Sequence, residues 1–378
     1  MSSTIPHLEE IKEIRKIEQK VTKETGVSVC DVSHWNSGTE YKNLILSHYK
    51  THTFLSQSDY HYSYEFQESI KQSTLSQLIG SIPNKFSCAF IHNATAAICC
   101  IADYLKKHNY KKICVLEPLY FSICSCLTSF GLNVHKEKVI LNNNEIDFPY
   151  DTIIQKGYDA VWITSPVFST GIYFEKTQIN CMNKLSQQGI LLILDESAAS
   201  PNYVLTKVLH PTQNIIAIFS PHKYLTINSV KFAVIVAQQN IINYIEDWID
   251  VFVGALPLST CMAIEHYLSF NYRICLDVHD RYIKNNIDII YELCTLFPDN
   301  FFNGTASNYI TIRNKNIPYI NSLNELNMYQ IVRHTLVSFV PGYINGFSED
   351  WGFCYRVNLT LDSSTIKKNL GKLFSYFS

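Results

Sequence analysis

From residue 86 to residue 237 the chain repeats one pattern, a short apolar run followed by a segment with helical spacing. "FSCAFI" precedes "ATAAICCIADYLKKH", and "KKICVLEP" precedes "YFSICSCLTSFG". Further strand candidates are "DAVWIT" (159–164), "GILLILDE" (189–196), "NIIAIFS" (214–220) and "KFAVIVA" (231–237). Continuous apolar runs, rather than apolar–polar alternation, predict strands covered on both faces. Their alternation with helices predicts βαβ units and a mostly parallel, doubly wound sheet of the α/β class. In such sheets ligands gather at the carboxyl ends of the strands.

Upstream, residues 7–24 predict a charged amphipathic helix, with Ile11, Ile14, Ile17 and Val21 at three- and four-residue steps. An irregular stretch rich in aromatic residues and histidine follows at 31–66, and a stretch of that length without periodicity points to function. Downstream, a long helical stretch is expected at about 257–297, closed by Pro298. After it come strand-like "YITIR" (309–313), "LVSFVPG" (336–342) and "YRVNLT" (355–360), then a final helix, "SSTIKKNLGKLFSYF". With 378 residues the chain is long enough for a large core and a smaller one. The expected division is an N-terminal helix and arm (1–50), a large domain (51–258) and a smaller α+β domain with the long helix (259–378).

A net charge of −2, from 31 basic and 33 acidic residues spread along the chain, argues against nucleic acid or an anionic membrane as partner. The longest apolar runs are too short to span a bilayer. The charged N-terminus carries no apolar signal region. The twelve cysteines include no C-x-x-C pair and sit among apolar neighbours, so they are expected to be reduced and the protein cytoplasmic, without a metal site.

On this frame the polar residues converge. Asp195 closes the run "GILLIL", Lys223 follows "NIIAIFS", Thr164-Ser165-Pro166 follow "DAVWIT", and Tyr120 follows "CVLEP". Asn93-Ala94-Thr95 lie where a strand hands over to a helix start, whose free N–H groups attract phosphate. A carboxylate, a lysine, an aromatic ring and a phosphate-type helix start are thus expected on one sheet edge.

In this order the chain resembles the aminotransferase class I/II family, the fold-type I enzymes that use pyridoxal 5′-phosphate (PLP), over roughly 31–378. "FIHNATAAI" is similar to the family's phosphate-binding helix start, and "EPLYFSI" to its Pro-x-aromatic turn. "TSPVFSTG" resembles Asn-Pro-x-Asn-Pro-Thr-Gly, and "LLILDES" the strand that bears the pyridine aspartate. "SPHKYLTINSVKFAV" resembles Ser-x-Ser-Lys with a phosphate-binding arginine eight residues on, and "YRVNLT" the strand with the carboxylate-binding arginine.

The resemblance implies a role for each residue. Lys223 would form a Schiff base with the cofactor aldehyde and move the proton at the substrate α-carbon. Asp195 would pair with the pyridine nitrogen and Tyr120 would stack on the ring. Ser220, Lys231 and the amides of Ala94 and Thr95 would hold the phosphate, with Ser165 also on the cofactor. Arg356 would clamp the substrate carboxylate. A homodimer with a shared site is implied, in which Tyr62 or Tyr64 of a neighbouring subunit would complete the phosphate site.

Three positions depart from the family pattern: Phe168 stands for the Asn and Ala198 for the Tyr that contact the cofactor's phenolic oxygen, and Lys231 for the arginine. Ser197, two residues from Asp195 on one strand face, or Ser169 would replace the missing donor. His222 would add an acid–base group or a phosphate contact, and His34 an acid–base group for side-chain chemistry. The expected reaction is transamination of an amino acid in specialised metabolism. The alternatives are elimination, replacement or cyclisation, as in relatives that make cyclic guanidino amino acids for natural products, and a non-catalytic relative. Glu24, Asp31 and Asp59 could meet a basic substrate, but each reads better as a solvated charge, and no acidic cluster selects the side chain.

Overall fold

The computed structural model describes residues 8–34, 36–46, 60–61, 66, 68–80, 86–142, 145–200, 202–209, 214–225, 231–254, 256–269, 272–305 and 307–378. Tyr62, Tyr64 and Asp59 lie outside the described residues. The repeating pattern builds a seven-stranded sheet from β1 (Phe86–Ile91), β2 (Lys112–Glu117), β3 (Asn133–Lys138), β4 (Ala160–Thr164), β5 (Leu191–Asp195), β6 (Ile215–Phe219) and β7 (Ala233–Gln238), in the order β1-β7-β6-β5-β4-β2-β3. The five strands from β6 to β3 are mutually parallel, while β7 runs antiparallel to both β6 and β1.

The apolar runs are continuous because both faces are covered. Along β4 and β5, Val161, Ile163, Leu192 and Leu194 enter one buried cluster. Their neighbours Ala160, Trp162, Leu191 and Ile193 enter the other, under the helices that follow β1 and β7. Successive side chains on a strand point to opposite faces, so a strand buried on both must be apolar at every position.

Helix α1 (Leu8–Thr25) begins the described chain, α2 (Ala94–Lys107) follows β1 and α3 (Ser122–Ser129) follows β2. The expected single long helix is two helices, Leu258–Ser269 and α4 (Tyr272–Leu296). Helix α4 bridges two cores: Tyr272, Cys275, Val278 and Tyr282 pack on the large sheet, whereas Ile283, Ile290 and Leu293 belong to a third cluster. That cluster gathers Ile14 and Val21 of α1, a small sheet of β8 (Asn300–Phe301), β9 (Tyr309–Asn314) and β10 (Phe353–Asn358), and helix α5 (Ser363–Phe377). The expected strand at 336–342 is only two residues long, Val337–Ser338, paired in parallel with Cys30–Asp31. Three residues on from Ser338, Pro341 caps a 3-10 helix, Gly342–Asn345.

The loop after β4 meets the segment before β9 backbone to backbone. A Cβ built on Gly304 would lie 2.2 Å from the carbonyl carbon of Gly171 and 2.3 Å from the nitrogen of Ile172. Only glycine permits that approach. Gly304→Ala must push the two segments apart and is expected to cost about 1–3 kcal/mol. A urea unfolding midpoint unchanged from wild type would show that the contact is not as close as described.

Candidate active site

The strand register sets the site. Thr164 of β4, Asp195 of β5 and Ile218 of β6 are direct neighbours at the carboxyl ends of their strands. One residue past Ile218, β6 ends at Phe219, and the chain turns through a 3-10 helix, Pro221–Lys223, which puts Lys223 over the edge. Because β7 runs backwards, its first residue, Ala233, pairs with Ile91, the last of β1, and Val234 pairs with Phe219. Lys231 and Phe232, which lead into β7, therefore arrive at the edge that holds Lys223. The end of β1 also delivers the start of α2 there. Asn93 caps that helix, its Oδ1 accepting from the Ala96 amide at 2.9 Å, which leaves the amides of Ala94 and Thr95 ahead of the cap bond.

A cavity of about 450 Å³ occupies this edge. Of the expected site residues, Ala94, Thr95, Tyr120, Asp195, Ser197, His222, Lys223 and Lys231 line it, as do Phe168, Ser169 and Ala198. Ser165, Ser220, Arg356 and His34 are not among the lining residues. Ser165 and Ser220 are buried beside the cavity walls with hydroxyls that have no protein partner among the described residues. Arg356 is buried in β10, donates from Nη2 to the Ser33 carbonyl at 2.6 Å, and stacks its guanidinium 5.3 Å from the centre of the Tyr309 ring. His34 is turned into its own loop, where Nδ1 accepts from the Asn36 amide at 2.9 Å. That bond leaves the ring proton on Nε2.

Sequence reasoning missed Asn36, Ile98 and Tyr309, which also line the cavity. Ile98 had a signal, since it lies one helical turn after Ala94. Tyr309 had none: it reaches the site because β9 pairs with β10, placing Tyr309 opposite Asn358 and Thr311 opposite Arg356. Glu24 accepts from Tyr329 and Asp31 pairs with Arg15 at 2.7 Å; neither lines the cavity. Among the described residues no cluster of three or more histidine, cysteine or acidic residues could hold a metal ion, and no helix is long and apolar enough to cross a membrane.

The charges at the edge act on one another. Burial pulls the Lys223 pKa down to about 8; the Asp195 carboxylate opposes the fall and the Arg356 guanidinium adds to it. Asp195 is buried, and its Oδ1 accepts from the Ser197 amide at 3.1 Å. His222 donates from Nδ1 to the Phe232 carbonyl at 2.5 Å, which ties the Lys223 turn to the strand that Lys231 leads. Burial, then the Lys223 charge, push the His222 pKa down to about 4, so the ring is neutral at pH 7 with an acceptor lone pair at Nε2. Such a nitrogen can contact a phosphate oxygen only with a proton between them. The hydroxyls of Thr164 and Ser197 line the cavity without partners among the described residues. Buried hydroxyls left open are costly, and they mark places where a polar ligand bonds.

No family model matches the chain and no curated protein matches it by sequence. Solved structures match its fold over nearly the whole length. A methionine aminotransferase from Escherichia coli, YbdL, superposes with a TM-score of 0.78 at 12% identity, over 96% of each chain. A PLP-dependent aminotransferase from Streptococcus suis gives 0.77 at 16% identity over 97% of each chain. A double mutant of the Thermus thermophilus aspartate aminotransferase gives 0.76 at 11% identity over 96% of each chain. The chain thus has the fold-type I architecture of the PLP-dependent aminotransferases.

Lys223 is expected to react as an amine of pKa near 8 rather than near 10.5. Below that pKa it is protonated and inert. Its reductive methylation by formaldehyde and cyanoborohydride should therefore rise with pH and level off above about pH 8. Asp195→Asn removes the charge that holds the proton on and should lower the midpoint; Arg356→Met should raise it. Peptide mass spectrometry across pH reads all three, and a wild-type midpoint near 10 contradicts the burial described.

Proposed function

We propose that this chain is a PLP-dependent enzyme that acts on an L-amino acid, in the simplest case an aminotransferase. The observation that carries the proposal is the convergence of Lys223 and Asp195 on one cavity at the carboxyl edge of the sheet. The surroundings fit a flat, phosphorylated pyridine. Tyr120, Ile98, Phe168 and Ala198 supply apolar walls, the hydroxyls of Thr164 and Ser197 are open, and the Asn93-capped helix start and Lys231 both line the cavity. The likeness of fold supports the same reading.

Bound there, PLP supplies an aldehyde that bonds to amines and a ring that withdraws electrons from the attached α-carbon. The chain's own residues do the rest. Lys223, neutral above pH 8, serves as nucleophile and as the base that takes the α-carbon proton. Asp195 holds a proton at the ring nitrogen. The Ala94 and Thr95 amides, Ser220 and Lys231 hold the phosphate, and Tyr120 keeps the ring flat against the wall. Ser165, Ser197 and His222 contact the cofactor and Arg356 binds the substrate carboxylate, while His34, turned into its own loop, is left out of the expected role at the substrate side chain. Phe168 and Ala198 leave Ser197, or Ser169, as the donor toward the phenolic oxygen. The proposal extends to a homodimer with a shared site, cytoplasmic and placed in specialised metabolism.

Wild type mixed with PLP is expected to show a visible absorption band that Lys223→Ala lacks, and borohydride should fix the cofactor to the Lys223 peptide. Lys223→Ala should lower turnover by about 10²–10⁴-fold. An amino-acid panel that includes arginine and hydroxylated arginine, read by mass spectrometry, should yield a 2-oxo acid. A cyclised or eliminated product would move the chain to the alternative chemistry. No band at saturating PLP would refute the enzyme and leave a non-catalytic relative.

A further inference from the structure

Residues 30–34 and 36–38 are laid along the small sheet as a strap. Cys30 and Asp31 pair with Val337 and Ser338, and the Val32 amide donates to Ser338 O at 3.1 Å. The Val32 carbonyl accepts from the Asn358 amide at 2.8 Å, and Gly38 N donates to Thr360 O at 2.7 Å. At Gly38 the strap lies so close to the start of α5 that an added Cβ would sit 2.3 Å from Asp362 Oδ1 and 2.5 Å from its backbone nitrogen.

Between those anchors, two side chains of β10 take three strap carbonyls. Arg356 Nη2 donates to Ser33 O at 2.6 Å, and Asn358 Nδ2 donates to His34 O at 2.8 Å and to Asn36 O at 3.1 Å. Residues two apart on a strand share a face, so both donors reach the strap from one side. The Asn358 amide is oriented by its other end, where Oδ1 accepts from Thr360 N and Thr360 Oγ1, each at 2.8 Å. Fully buried and bonded at both ends, this amide holds a single rotamer. The last carbonyl it holds belongs to Asn36, which lines the cavity with Lys223 and Asp195.

We propose that Asn358 is a positioning residue that sets the substrate wall of the site, and that Asn36, carried on the strap, contacts the side chain of the bound amino acid and helps to select it. The proposal rests on the reading of the cavity as an amino-acid site. Asn36 offers a donor and an acceptor without charge, so an aspartate in its place brings a negative charge to the same point and favours a cationic side chain.

Hydrogen–deuterium exchange on the full chain without cofactor tests the clamp. Asn358→Asp keeps the acceptor oxygens for Thr360 and removes the two N–H donors. The amides of residues 32–34 and 36–38 should then exchange about tenfold faster, with those of β5 and β6 unchanged. With PLP bound, the same variant should raise the amino-acid KM about tenfold while kcat and cofactor affinity stay near wild type. Asn36→Asp, at an exposed position, tests selection even where Asn358→Asp fails to fold. It should shift the kcat/KM ratio of lysine over norleucine upward by about tenfold. Unchanged strap exchange overturns the role of Asn358, and an unchanged ratio overturns that of Asn36. If wild type binds no PLP, the enzyme reading fails and takes the selection by Asn36 with it, while exchange still decides the clamp.

Discussion

The site depends on one reversal in the sheet. Had β7 run parallel to its neighbours, the residues ahead of it would have lain at the opposite edge. Running antiparallel between β1 and β6, it sets Ala233 against Ile91 and Val234 against Phe219. That pairing draws three features to one place: the Lys223 turn, Lys231, and the capped start of α2. The bond from His222 to the Phe232 carbonyl closes the arrangement across a chain reversal. Hydrogen bonds of the sheet thus do the positioning, and the side chains inherit it.

What they inherit is an electrostatic balance. A lysine taken out of water loses its proton more readily, and Arg356 pushes the same way while Asp195 holds back the fall. The outcome is an amine that titrates near physiological pH. Burying these charges and leaving the Thr164 and Ser197 hydroxyls open works against stability. The two apolar clusters that cover both faces of the sheet offset that cost.

The smaller core is joined to the larger by shared structure. One end of α4 packs in each core, Ser307 donates to the carbonyl of Ala198 in the cavity wall, and Gly304 touches the loop that carries Phe168 and Ser169. Through β10 the smaller core also grips the strap that brings Asn36 in. Walls of the cavity therefore come from distant stretches of chain.

By itself the sequence determined the large sheet, because burial on both faces forces an unbroken apolar run that no other element explains. It also determined which polar residues stand at strand ends, among them Lys223, Asp195, Tyr120 and the Ala94–Thr95 helix start. It did not determine what crosses from the smaller core. Tyr309 sits in an ordinary apolar strand, and Asn36 in an irregular stretch without periodicity. Only the pairing of β9 with β10, and the capture of three carbonyls by Arg356 and Asn358, turns Tyr309 and Asn36 to the cavity and folds His34 back on its own loop. Periodicity records which face of an element is buried. The partner it meets is set by contacts hundreds of residues apart, and local sequence carries no trace of them.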